Sequence, residues 1–154
     1  MGEQKKAKSP GNRYDGRGKM GATDNKQLLQ HIFGELSNGN SEPLITRMAN
    51  DFRWTVTGTT KWSKTYEGKQ AVLSELFGAL GTRIEGRIKT TASRIIAEGE
   101  FVVVEAKGNN RTKSGVPYNN NYCFVFRVMN GRLKELTEYM DTELVKNVLA
   151  AEPA

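Results

Sequence analysis

The sequence predicts an α+β fold in which a curved antiparallel sheet wraps around three N-terminal helices and leaves a cone. Three observations predict it. Apolar residues recur at helical spacing within 28–36, 44–48 and 72–80; alternation of period two takes over at 52–56 and again from Ile84 almost to the end; and Asn130-Gly131 marks a tight hairpin. Helices gathered on one side of an antiparallel sheet form two packed layers. Strands this long must curve around three helices, and the open end of such a cone is a natural pocket.

Residues 1–23 combine five glycines, Pro10 and scattered charge with almost no large apolar side chains. They bury too little surface to offset ordering entropy, so a disordered basic leader is expected, with Met20 as an alternative start. Folding is expected to begin at Asp24, an N-cap before Leu28, Leu29, Ile32, Phe33 and Leu36, and Gly39 stops this first helix. Ser41, with Pro43 behind it, caps a second short helix that turns Leu44, Ile45 and Met48 inward. Phe52, Trp54 and Val56 alternate with polar residues as a half-buried strand, and Gly58 to Lys64 is a loop. Gly68 leads into the third helix, carrying Val72, Leu73, Leu76, Phe77 and Leu80 and ending at Gly81. Strands follow at about 87–97, 101–108, 117–129 and 132–140, with turns at Asn109-Asn110 and Asn130-Gly131. Leu144, Val145, Val148 and Leu149 close the domain, 24–150, with an amphipathic turn or two.

The net charge of the 154 residues is +6, of which +4 belongs to residues 1–23, through Lys5, Lys6, Lys8, Arg13, Arg17 and Lys19 against Glu3 and Asp15. The body is close to neutral, so neither nucleic acid nor a membrane is an expected partner. No apolar run approaches the ~18 residues of a membrane span, and the start lacks the apolar core of an export signal. One cysteine, Cys123, makes neither an internal disulfide nor a multi-thiolate site. A cytoplasmic protein without cofactor or metal is the expectation.

Several motifs have dull readings. Gly16-Arg17-Gly18-Lys19-Met20-Gly21 matches a dinucleotide fingerprint, but no strand precedes it. Asn110-Arg111-Thr112 fits a glycosylation sequon and reads here as a turn. His31, the single histidine, lies at the edge of the first helix's apolar stripe, and Cys123 stands in an apolar strand as a small hydrophobe.

The richest segment is Tyr118 to Val128 and, after the turn, Leu133 to Thr142. Alternation puts Tyr118, Asn120, Tyr122, Phe124 and Phe126 on one face, an aromatic wall with polar tips that suits a ligand pocket, a core or a dimer face equally. Glu138 and Asp141 stand at the end of the last strand, three apart and hence on opposite faces unless the strand bulges or ends near Met140. A carboxylate inside an apolar cone would be raised by desolvation into an acid or base near neutrality. The competing reading makes both surface charges that pair with Lys134 or Arg132.

With these elements in place, the chain resembles the SnoaL-like, ketosteroid-isomerase-like branch of the nuclear transport factor 2 superfamily. The resemblance spans about residues 24–150. It rests on Leu28 to Asn40 with its Asn-Gly-Asn break, Phe52-Arg53-Trp54 through Gly58-Thr59, Tyr66-Glu67-Gly68-Lys69, and Tyr118 to Asp141 ending in Glu-Tyr-Met-Asp. It implies a cone-shaped barrel, a homodimer through the outer sheet face and a deep pocket for a small apolar molecule. The ketosteroid isomerase constellation of a Tyr and two Asp residues of tuned acidity falls here at Ile32, near Val56 or Thr57, and near Phe124, so that chemistry is not expected. The last-strand carboxylate of the polyketide cyclases matches Glu138 or Asp141, whereas His31 is in the wrong element to be their histidine. Two functions stay open. One is a cofactor-free acid/base enzyme of isomerase, cyclase, dehydratase or hydrolase type, with Glu138 or Asp141 catalytic and Tyr122, Asn120 or Trp54 steadying an oxyanion. The other is a non-catalytic ligand-binding or dimeric assembly module. In both, the pocket is expected to use Trp54, Trp62, Asn120, Tyr122, Phe124 and Tyr139.

Overall fold

A computed structural model describes residues 20–149 of the chain. The leader expected at 1–23 lies outside the described residues up to position 19, and so does residue 150. Positions 20–23 belong to the folded part, because the first helix, α1 (Ala22–Ser37), starts two residues before Asp24. Asp24 sits in the first turn rather than at the cap, where its carboxylate accepts the Gly21 N–H at 3.3 Å and complements the helix dipole. The helix ends at Gly39, φ 80°, whose N–H bonds to the Leu36 carbonyl while Asn40 N–H reaches Glu35, the paired bonds of a Schellman stop.

α2 (Glu42–Arg47) follows at once. Ser41 makes no side-chain cap there; the Asn40 side chain accepts the Glu42 N–H instead, at 3.2 Å. β1 (Met48–Val56) and β2 (Thr65–Glu67) pair back on each other. The third helical stretch enters as α3 (Lys69–Ala71), widens to a π-wound segment over Val72–Phe77 and finishes as α4 (Gly78–Arg83). It therefore runs past Gly81. β3 (Thr90–Glu98) and β4 (Phe101–Gly108) form a hairpin. The turn expected at Asn109-Asn110 does not form, since β5 (Asn110–Arg111) carries the chain on to pair with β6 (Pro117–Tyr118), and Gly115, φ 88°, lies in the connection. The strand expected over 117–129 is accordingly broken at Asn119 and Asn120 before β7 (Asn121–Met129). Asn130 and Gly131, φ 50° and 73°, make the tight turn into β8 (Arg132–Met140), and α5 (Thr142–Leu149) follows.

The six main strands lie in the order β2-β1-β8-β7-β4-β3. Every neighbouring pair is antiparallel except β1 and β8, which run parallel, so the sheet is mixed. Register shifts between Met48 and Arg53, Ala92 and Arg94, and Arg127 and Val128 bend the strands, and the sheet curves over the helices. On the concave face α1 presses Leu29, Ile32, Phe33 and Leu36 against β3 and β4. Phe52, Phe126, Leu133 and Leu136 are fully buried there; a Phe or Leu side chain taken out of water contributes about 1.5–3 kcal/mol. The expected α+β class, a curved sheet around N-terminal helices, is the architecture observed.

Candidate active site

The helices do not fill the cone. A cavity of about 570 Å³ remains between the sheet, α1, the α1–α2 connection and the third helical stretch. Its floor is aromatic because β1, β7 and β8 turn alternate residues inward: Trp54 from β1, Tyr122, Phe124 and Phe126 from β7, Leu136 and Glu138 from β8. The register sets Glu138 opposite Phe124 on one side and Val56 on the other. A smaller chamber of about 60 Å³ lies toward α5, and Glu138 and Tyr122 line both.

Glu138 carries the site's electrostatics. Its Oε2 accepts the Trp54 indole N–H at 2.9 Å, the one hydrogen bond on this carboxylate among the described residues. Its backbone is pinned separately, since the Glu138 carbonyl accepts both the Thr57 N–H, at 3.1 Å, and the Thr57 hydroxyl, at 2.8 Å. Burial pushes the carboxyl up from 4.5 to about 7, and the Trp54 bond only partly counteracts it. The residue itself is only partly covered, because the surface it keeps is cavity wall. An acid held near neutrality in an aromatic-floored cavity can both take and return a proton at physiological pH.

The neighbouring phenols are kept protonated. Burial raises Tyr122 well above 10, and it also raises the buried Tyr118. The two hydroxyls are hydrogen-bonded to each other, and Asn120 Nδ2 donates to Tyr118 at 3.3 Å. Asn120 is wholly buried, with its amide also donating to the Asp141 carbonyl at 3.1 Å and accepting the Asp141 N–H at 3.0 Å. It locks the break between β6 and β7 to the end of β8 and does not line the cavity.

The structure therefore sorts the residues proposed from sequence. Trp54, Tyr122, Phe124 and Glu138 meet around the main cavity, and Trp62 lines the inner chamber with its indole donating to the Leu149 carbonyl at 3.3 Å. Asp141 is not brought in. β8 ends at Met140, and the exposed Asp141 instead accepts the Glu143 and Leu144 N–H groups at 3.0 and 3.2 Å, as the cap of α5. The pairing with Lys134 or Arg132 entertained for Glu138 does not occur either; Lys134 binds Asp51. Tyr139, 51% exposed, points to the outer face because it alternates with Glu138. The half-buried Cys123 shares that face through its pairing with Tyr139, and His31 is exposed on α1. Sequence reasoning missed Phe77, whose ring meets Trp54 edge-on at 5.5 Å; its helical spacing spoke only for core. It missed Thr57 as well, since nothing local links Thr57 to a strand 81 residues away. Among the described residues no three His, Cys, Asp or Glu side chains gather to hold a metal ion, and no helix is long and apolar enough to cross a membrane.

The curved mixed sheet, the helices on its concave face and the one cavity-lining carboxylate on the last long strand define an α+β cone with a cavity between its layers. The family model of the SnoaL-like domain matches residues 29–136, and the chain belongs to that family. Among solved structures, an NTF2-like protein from Burkholderia pseudomallei K96243 superposes with a TM-score of 0.70 at 20% identity, over 82% of this chain and 98% of that one. A candidate SnoaL-like polyketide cyclase from Jannaschia sp. CCS1 gives 0.68 at 17%, over 97% and 100%. A candidate isomerase from Bacillus subtilis gives 0.65 at 16%, over 82% and 92%. At these identities the likeness is one of fold. Curated proteins give no significant match.

Proposed function

We propose that this SnoaL-like protein is a cofactor-free acid/base enzyme, of isomerase, cyclase, dehydratase or hydrolase type, acting on a small and largely apolar substrate. What carries the reading is the Glu138 carboxylate, buried against a 570 Å³ aromatic cavity, held by one indole N–H and raised to about 7. Above that pH the carboxylate takes a proton from a carbon beside a carbonyl, and the electron pair of the broken C–H bond moves onto the carbonyl oxygen. Tyr122 is the donor for the resulting enolate: its phenol keeps its proton and lines the same cavity, and its hydroxyl, unlike a ring or amide N–H, turns about its C–O bond from Tyr118 to the substrate. Trp54 and Asn120 do not serve, since the indole N–H is engaged by Glu138 and the Asn120 amide by Tyr118 and Asp141. Glu138 then returns the proton at a new position or to a leaving group. The test is exchange of α-protons of a panel of apolar ketones in D₂O, followed by NMR. Wild type is expected to exceed Glu138→Gln by about 10²–10⁴ on at least one ketone, and equal rates across the panel would remove the enzyme reading.

A ligand-binding module without catalysis is the second reading, favoured by the exposure of His31 on α1, which lines neither chamber. In either case we propose a homodimer through the outer sheet face. There Ile96, Phe101 and Tyr139, about half exposed each, flank the partly buried Val103 and Val125. The partner in the pocket is a small apolar molecule; a cytoplasmic setting accords with this reading.

A further inference from the structure

The cavity contains a negative group and no positive one beside it. Desolvation and the Trp54 bond are what set the acidity of Glu138; no lysine, arginine or histidine acts on it. The carboxylate emerges between two aromatic groups. On one side is the Trp54 indole with Phe77 edge-on at 5.5 Å, and on the other is Tyr122 stacked on Phe124 with centroids 4.9 Å apart. Phe33 closes over Phe124 at 5.7 Å. Ring faces carry the negative end of the aromatic quadrupole, so carboxylate and rings together favour positive charge in the same space.

The other titratable groups near Glu138 do not offset this. Tyr122 on β7, Tyr118 on β6 and Tyr66 on β2 all have their acidity weakened by burial and stay neutral. Among the described lining residues the cation is Arg87, exposed at the mouth together with the carboxylate of Glu42.

From this arrangement we infer that the cavity takes an organic cation, a tertiary or quaternary amine on a small apolar skeleton, with its nitrogen against the Glu138 carboxylate and its alkyl groups on the rings of Trp54, Phe77, Tyr122 and Phe124. The inference rests on the reading of this cavity as the functional small-molecule site and narrows the substrate class. An alkylated ammonium suits the walls because it needs few hydrogen-bond acceptors yet gains from every ring face it meets. A neutral isostere fills the same volume and gains burial alone.

Choline and its uncharged isostere 3,3-dimethylbutan-1-ol separate the two cases, measured by calorimetry and by the fluorescence of the two tryptophans, Trp54 and Trp62. At about pH 8.5 choline is expected to bind at least about ten times more tightly than the alcohol. The preference should weaken several-fold at about pH 5.5, where Glu138 holds its proton, and in Glu138→Gln at pH 8.5, where only the rings still favour the cation; an unchanged preference in both would remove Glu138 from the inference. The pH arm uses the wild-type protein and stands even if the variant folds poorly. Equal or tighter binding of the alcohol at pH 8.5, or binding of neither probe, overturns the inference. If that happens while Glu138 still titrates near neutrality, the amine class falls and the acid/base reading stands. An ordinary Glu138 titration removes the acid/base reading whichever probe binds.

Discussion

The site's character comes down to one side chain placed where its charge is poorly solvated. A carboxyl raised from 4.5 to about 7 binds its proton more strongly in the folded protein than in the unfolded chain. Between those two values the folded state holds more protons, so the contribution of Glu138 to stability falls as pH rises from about 4.5 to about 7 and is flat above. The cost of keeping it ionised is on the order of 3 kcal/mol. Replacing Glu138 with Gln keeps an acceptor for the Trp54 N–H and removes that cost. Glu138→Gln should therefore raise the thermal midpoint at pH 8 and leave it nearly unchanged at pH 4.5, as scanning calorimetry at the two pH values would show. A variant less stable than wild type at pH 8 would mean that the carboxylate is favourably held in the folded protein.

At the level of elements, the end of β8 decides which of two carboxylates does chemistry. Strand alternation carries Glu138 into the cone and Tyr139 out of it, and the strand then stops, so Asp141 becomes the cap of α5. Asp141→Ala should cost about 1 kcal/mol in urea unfolding, as loss of an N-cap does, while leaving the Glu138 titration unmoved. A shift of that titration by a full unit would place Asp141 electrically in the site. The sequence alone made the individual elements readable where pattern is local. β4 spans Phe101–Gly108 and β8 spans Arg132–Met140, the limits that alternation and the Asn130-Gly131 turn define. It could not foresee the break at Asn119 and Asn120, because the partner that makes it stable is the Asp141 backbone, 21 residues on. Nor does helical spacing distinguish an α-turn from the π-wound Val72–Phe77 that carries Phe77 to Trp54.

For the molecule as a whole, curvature came through in the sequence because long alternating strands and three helices leave few other packings. Pairing did not. Nothing in either segment announces that β1 lies parallel to β8, yet this contact brings Trp54 and Thr57 to Glu138 and so makes the site. The faces of the sheet follow from the same pairing: Phe124 inward, Tyr139 outward with Phe101 and Ile96. If the outer face joins two copies, Phe101→Glu should convert a dimer to a monomer in sedimentation with little change in the Glu138 titration. A wild-type monomer at tens of micromolar would contradict that assembly. The net charge of +6 has little part in the site, since +4 of it belongs to residues 1–23. The ionisation of Glu138 is the property on which the proposed chemistry depends. Carboxyl carbon NMR of the protein labelled at glutamate follows it directly, with Glu138→Gln identifying the signal. A midpoint near 7 is predicted, and a midpoint near the ordinary 4.5 would contradict the account.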